Sequence, residues 1–366
     1  ENKNNAVLRG LLNREDWFDK WEDYMTQNLI KNELKSEKFI SFDEITELEE
    51  YFQVVDLETP KKAIFQKGGS KMGWRYANTF FDKRHEKYMF NISKPALARE
   101  SCSRLSPYIA WGNVSIRQIY QKACEVKDAE NSKPLGAFVS RLRWQAHFIQ
   151  KFEMEHTMEN VSLNKGYQKL KKSISEEYQK AWQEGNTGFP LIDASMRCLI
   201  ETGYLNFRMR AMLISFFTHI LWQPWQAASQ HLSKLFLDFE PGIHFPQLQM
   251  GSGETGINTL RIYNPIKNSL EHDADATFIK KWCPELANLP VPFIHEPYIM
   301  TPLDELFNNF KLGENYPKPI VEIKSARKRA SDILWELKKD KAVIAENKRI
   351  LKKHTISERN RMLKNS

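Results

Sequence analysis

From about residue 75 onward, apolar residues return at helical spacing in window after window. Ile116, Tyr120 and Ala123 make one such stripe, and Phe138 and Leu142 with Gln145, His147 and Phe148 make another. Met196, Leu199 and Ile200 follow, then Leu205, Met209, Met212, Leu213 and Phe216. Alternation with a period of two is rare, there is no internal repeat, and no strand–helix–strand alternation is seen. The pattern predicts an all-α fold, a helical bundle with long aromatic-rich loops.

Both ends read differently. "DWFDKWEDYMTQNLIKNELK" is polar with scattered aromatics, and "VVDLETPKKAIFQKGGSK" carries Pro, Gly and Lys at loop density. Residues 1–75 are therefore expected to form a connecting segment with short helices. In "KRASDILWELKKDKAVIAENKRILKKH", Ile333, Leu337, Val343, Ile344 and Leu351 form a broken apolar stripe among lysines, which predicts a basic helical tail over 323–366.

Charge sharpens that division. Residues 327–366 hold thirteen Lys/Arg against five Asp/Glu, an excess that equals the whole net charge of +8, so the rest of the chain is neutral. The four cysteines, at 102, 124, 198 and 283, are too scattered for CxxC metal spacing and too few for a disulfide framework. An intracellular, cytoplasmic setting is expected. The most apolar stretch, 211–222, is broken by Thr218 and His219 and is shorter than the roughly 20 residues of a membrane span, so no membrane partner is expected. With 366 residues the chain is long enough for a sizeable core.

Two literal motifs carry little. "GSGETG" at 251–256 satisfies GxGxxG, but "HFPQLQM" before it and "INTLRIYNP" after it give no strand–helix unit, so it reads as a turn. The acids of "EHDADATF" (Glu271, Asp273, Asp275) are joined by no histidine pair, and no metal site is expected.

"GYLNFRMRAMLISFF", residues 203–217, is more informative, because two arginines interrupt an apolar helix-like run. At about 100° per residue, Arg208 and Arg210 point roughly 200° apart, one inward and one toward a groove or solvent. An inward guanidinium is costly unless it meets an anion or several acceptors. Asp238 and Glu240 in "LFLDFEPG" are candidate partners, and an Arg–Asp pair that serves only packing fits equally well. Ser101, Ser103 and Ser106, close together before a helix, suit a pyrophosphate or a simple helix cap.

Taken together, "SRLSPYIAWGNVSIRQ", "AWQEGNTGFPLIDASMR", "LRIYNP", "FIKKWCPEL" and "YPKPIVEIKSAR" resemble, in order, the FAD-binding helical domain of the photolyase and cryptochrome family, from about Tyr88 to Glu322. In that family an α/β antenna domain precedes the flavin domain. The resemblance therefore implies that residues 1–75 are a linker after a missing N-terminal domain, with an FAD-binding helical domain over 76–322. The antenna pigment is left unknown, because the resemblance implies that the domain carrying it is missing from this chain.

The resemblance also implies roles. Tyr88, Cys102, Ser103, Arg104, Leu105 and Ser106 match the segment that holds the FAD phosphates, with Cys102 in place of a hydroxyl residue, and Phe138 joins the cofactor set. Asp238 and Glu240 match the acids facing the isoalloxazine and ribityl, Arg210 the arginine against the flavin ring, and His244 the position opposite flavin N5, commonly Asn. On the DNA side are Arg208, Trp144 as the wall for a flipped lesion, and Gln145. Departures cluster there: Arg141 replaces a lesion-binding Glu, Phe207 an Asn, Ala211 a Met and Met250 a tryptophan, while Ile220 replaces an acid near the inward arginine. In the tryptophan chain that reduces the flavin, Trp225 keeps the middle position and Leu248 takes the flavin-proximal one. Trp222 and Tyr263 are candidate substitutes.

The function expected is light-dependent DNA repair, a deoxyribodipyrimidine photo-lyase splitting pyrimidine dimers by electron transfer from excited reduced FAD. The protein would act as a monomer on dimer-bearing DNA. The alternative is a cryptochrome-type blue-light photoreceptor that uses FAD without repair. A light-independent flavin-holding or DNA-binding scaffold is a third reading.

Overall fold

A computed structural model describes residues 7–30, 40–49, 51 and 64–355. Among them the regular structure is helical, apart from an isolated bridge between Leu312 and Tyr316. The helices of nine residues or more are α1 (Trp17–Thr26), α2 (Ser70–Asp82), α3 (Ile116–Glu125), α4 (Ser132–Met154), α5 (Glu176–Glu184), α6 (Pro190–Thr202), α7 (Phe207–Ser215), α8 (Trp225–Leu235), α9 (Pro241–Gly251), α10 (Ile323–Leu337) and α11 (Lys341–His354).

Local sequence sets several of these boundaries. Ser115 and Gln118 close a capping box at the start of α3. Pro190 opens α6, and Gly203 ends it at a φ of 62°, where a Cβ would also strike the Leu237 side chain. Beyond Ser215, α7 continues as a π-helical turn, Phe216–Ile220, a distortion often found near functional sites.

The helices enclose two main cores. One gathers α6 to α9, with Trp182, Phe216, Phe217 and Trp225 buried in it. The other joins α1 to α3 and the first half of α4. The two meet along α4 and α9, which cross so closely that a Cβ on Gly242 would lie 2.8 Å from Ile149 Cα. Phe152 of α4 also stacks on Phe245 of α9, with ring centroids 5.8 Å apart.

Two expectations need correction. Within the segment read as a connector, α1 is core: Trp17, Phe18, Trp21 and Met25 are buried, Trp21 meets Tyr120 edge-on at 5.3 Å, and Arg143 pairs with Glu22 at 2.9 Å. Those four residues share one helical face, and the polar residues between them mask that spacing. Within the tail, Ile323–Leu337 and Lys341–His354 are helical, residues 356–366 lie outside the described residues, and the contact face differs from the predicted stripe. Ala326, Ala330, Leu334, Val343 and Ile350 are buried, whereas Ile333, Ile344 and Leu351 stay exposed. Alanines let α10 lie close against the π-helical turn, so small residues make the contact that larger ones were expected to make.

Candidate functional site

A cavity of about 300 Å³ lies between α7, α9 and the loops 236–240 and 257–263. Its walls include Phe207, Arg210, Ala211, Asp238, Glu240, His244, Leu248, Met250 and Tyr263. Six of the residues expected at the site from sequence, Phe207, Arg210, Asp238, Glu240, His244 and Met250, thus meet around one space.

The electrostatic centre is Arg210. Its Nη2 donates to Asp238 Oδ2 at 2.8 Å and its Nε to Leu205 O at 2.8 Å, while the guanidinium lies 4.1 Å from the centroid of Phe236. The loop carrying Asp238 is held by Leu237 N–H donating to Gly203 O at 3.0 Å. Asp238 Oδ1 is buried and has no hydrogen-bond partner among the described residues. Burial raises the pKa of the Glu240 carboxyl. Burial also lowers His244 to about 4, so its imidazole is neutral near pH 7. His244 Nε2 lies 3.1 Å from both Ser229 O and Ser229 Oγ. A carbonyl can only accept, which puts the ring proton on Nε2.

The phosphate half implied by the resemblance lies apart from the cavity walls. Tyr88 and Phe138 pack edge-on in the second core with centroids 6.2 Å apart. Arg84 donates to Cys102 O, Leu105 N–H to Ser103 Oγ at 3.4 Å, and Arg104 adopts a φ of 61°. Ser106 opens a short helix, Ser106–Ala110. Tyr204, which sequence reasoning missed, links the two halves: Arg104 lies 4.1 Å and Arg210 5.7 Å from its ring centroid. Gln66 was missed as well, and its side-chain oxygen accepts from Arg104 Nε at 2.9 Å. No local signal in the sequence joins either residue to the site.

On the α4 side, Arg141 is exposed, and Trp144 is half-buried against His147 and Phe148 with centroids at 5.4 and 5.9 Å. Gln145 is half-buried next to it. Arg208 Nη1 donates to Tyr263 OH at 3.2 Å. Trp225 is buried in the first core, and Trp222, at a φ of 57°, packs beneath α10. Leu248, which the resemblance assigns to the flavin-proximal position, is buried in the cavity wall. The "GSGETG" stretch follows a helix and turns at Gly253 and Gly256. Asp273, from the acidic run, accepts from the N–H groups of Phe278 and Ile279 at 2.8 and 3.0 Å.

The donor set fits a flavin. A carboxylate oxygen and a second carboxyl that have no partner among the described residues could accept from ring N–H and ribityl hydroxyl groups, and Arg210 would supply positive charge to a ring that becomes anionic when reduced. All four cysteines are free, and among the described residues no helix is long and apolar enough to cross a membrane.

Comparison with known proteins gives the family. Residues 138–336 match the family described as the FAD binding domain of DNA photolyase. A deoxyribodipyrimidine photo-lyase of Alkalihalophilus pseudofirmus is 32% identical over 254 residues, covering 69% of this chain and 52% of that protein. Cryptochrome-2 of Arabidopsis thaliana is 32% identical over 286 residues, covering 74% of this chain and 46% of its own length. The chain thus spans about half the length of these curated relatives. The crystal structure of a bacterial class III photolyase from Agrobacterium tumefaciens superposes with a TM-score of 0.70 at 25% identity, over 74% of this chain and 56% of that one. By fold and sequence, the chain belongs to the photolyase and cryptochrome family and carries its helical FAD-binding domain.

Proposed function

We propose that this chain is the light-active domain of a DNA repair protein that splits pyrimidine dimers. Reduced FAD bound in the domain supplies, when excited by blue light, the electron that opens the dimer and is then returned. The protein's own residues position and insulate. Asp238 Oδ1 and Glu240 accept from the flavin, Arg210 balances its charge in a low-dielectric wall, and neutral His244 adds no further charge there. Ser103, Arg104 and Ser106 hold the phosphates.

Trp144, Met250 and Phe207 supply apolar surface for a dimer flipped out of the helix, and Arg141, Arg208 and the basic tail meet DNA phosphates. Trp225 is the internal electron donor that brings the flavin to its reduced state. Among these features, the Arg210–Asp238 pair at the cavity wall, with one carboxylate oxygen left free, carries the reading.

A cryptochrome-type photoreceptor is the second reading. It is favoured by Arg141, Phe207 and Met250, which replace the Glu, Asn and Trp that the family resemblance leads one to expect on the lesion side. One experiment separates the two. The purified chain is loaded with FAD and irradiated with dimer-bearing single-stranded and duplex DNA, in blue light and in darkness. Light-dependent loss of dimers supports repair, flavin photoreduction without dimer loss supports the photoreceptor, and failure to retain FAD overturns both.

A further inference from the structure

One buried ion pair serves none of the roles described so far. Lys172 Nζ and Glu254 Oε1 lie 3.1 Å apart, with side chains only 4% and 7% exposed. Such a pair is often no more stabilising than apolar packing of the same volume, so its presence in the core asks for another cause.

The second carboxylate oxygen supplies one. Ser162 Oγ donates to Glu254 Oε2 at 2.6 Å, and the same hydroxyl accepts from Trp225 Nε1 at 3.4 Å. Indole N–H, hydroxyl and carboxylate thus form a chain with every proton set to move one way. Trp225, Ser162 and Glu254 are all buried, which holds bulk water away as a competing acceptor. Lys172 fixes Oε1 and so leaves Oε2 turned toward Ser162.

We infer that Glu254, acting through Ser162, takes the indole proton of Trp225 when that tryptophan gives up an electron; the inference rests on Trp225 being the electron donor to the flavin. Trp225 loses one electron to a light-excited oxidised flavin, and its Nε1–H bond breaks. That proton bonds to Ser162 Oγ as the hydroxyl's own proton passes to Glu254 Oε2. The flavin has gained the electron, Trp225 is a neutral radical, and Glu254 is a neutral acid beside Lys172. Return of the electron then requires return of the proton, which prolongs the separated state. Ser162 and Glu254 act on the flavin only through Trp225, so they are positioning and relay residues.

Transient absorption of the FAD-loaded full chain after a blue flash tests this, because the protonated and neutral tryptophan radicals absorb differently. In the unsubstituted protein the protonated form converts to the neutral one, and more slowly in D2O. Ser162→Ala breaks the chain without touching the ion pair and lengthens the life of the protonated radical by about 100-fold, the scale of a positioned general base. The double variant Lys172→Met with Glu254→Gln, which leaves no buried charge unpaired, does the same with Ser162 in place. Conversion at the unsubstituted rate in both variants overturns the inference, as does a protonated radical that recombines without losing its proton. A flavin-loaded unsubstituted chain that forms no tryptophan radical at all overturns the electron route itself, and the inference with it.

Discussion

A Cβ on Gly166 would lie 2.7 Å from the backbone nitrogen of Val343 and 2.8 Å from its Cα. The tail helix α11 is therefore seated backbone against backbone on the turn at 163–169. Polar contacts fix the register: Asn164 Nδ2 donates to Val343 O at 3.1 Å and to Asn347 Oδ1 at 2.9 Å, and Gly166 N–H donates to Asn164 Oδ1 at 3.0 Å. Gly166→Ala is expected to lift α11, at a cost of about 1–3 kcal/mol for overpacking against backbone that cannot yield. Limited proteolysis checks this, with cleavage appearing between residues 338 and 355 while the body stays intact. A tail as protected as in the unsubstituted chain would contradict the seating.

At the site, Asp238→Asn keeps the shape of the loop and removes the charge facing Arg210. Arg210 retains its bond to Leu205 O and its contact with Phe236, and its side chain is 20% exposed, so it is not stranded. The expected loss of stability is about 1.5–3 kcal/mol, the range for a hydrogen bond between charged groups. Flavin retention should fall as well, because the free Oδ1 acceptor is replaced by an amide. Urea unfolding of the flavin-free chain measures the first effect, and the flavin absorption left after gel filtration measures the second.

Why these residues could be read from sequence, and others could not, follows from where their physical signals lie. Arg208 and Arg210 stood out because a guanidinium in an apolar run demands a partner, and Asp238 and Glu240 because acids in an apolar loop make the same demand. The helical face of α1 was present in the spacing of Trp17, Phe18, Trp21 and Met25, but Asp, Lys and Glu between them gave the segment the composition of a connector. Glu254 left no local trace. It sits in "GSGETG", a stretch dominated by its glycines, and its partner Lys172 lies 82 residues away among other lysines. A buried ion pair made by distant segments is a product of tertiary packing, and neither half differs in sequence from a surface charge.

Acid should loosen the domain, with a sign fixed by its buried histidines. Burial lowers both His244 and His354 to about 4, well below the 6.5 of an unfolded histidine. Above pH 6.5 both states are neutral and nothing is lost. Between about 6.5 and 4 the unfolded chain takes up protons that the folded chain refuses, so stability falls as pH falls, by on the order of 3 kcal/mol per histidine at the lower end. Urea midpoints between pH 7 and 4.5 should decline accordingly. His354→Gln should flatten part of that decline, since His354 anchors the end of α11 with Nε2 3.1 Å from Glu155 Oε1. An unchanged slope in that variant would show that His354 is not held neutral.

The two candidate tryptophans can be told apart by the charges around them. Trp222 carries Lys172 Nζ at 5.2 Å and the Arg329 guanidinium at 5.6 Å from its ring centroid. Removing an electron from an indole leaves a positive charge, and a cation about 5 Å away opposes it by about 3 kcal/mol at an effective dielectric near 20. Glu254 offsets part of the Lys172 contribution, but among the described residues Arg329 donates to a neutral carbonyl, Ile220 O, at 3.2 Å and pairs with no carboxylate, so its opposition stands. Trp225, hydrogen-bonded toward a carboxylate through Ser162, has the opposite surroundings. Under steady blue light with an external reductant, Trp225→Phe is therefore expected to abolish reduction of bound flavin, and Trp222→Phe to leave it near the unsubstituted rate. Flavin absorption recorded before illumination confirms that each variant is loaded. Loss of photoreduction in Trp222→Phe alone would mean that the local field does not select the donor, and would move the electron route to the surface beneath α10.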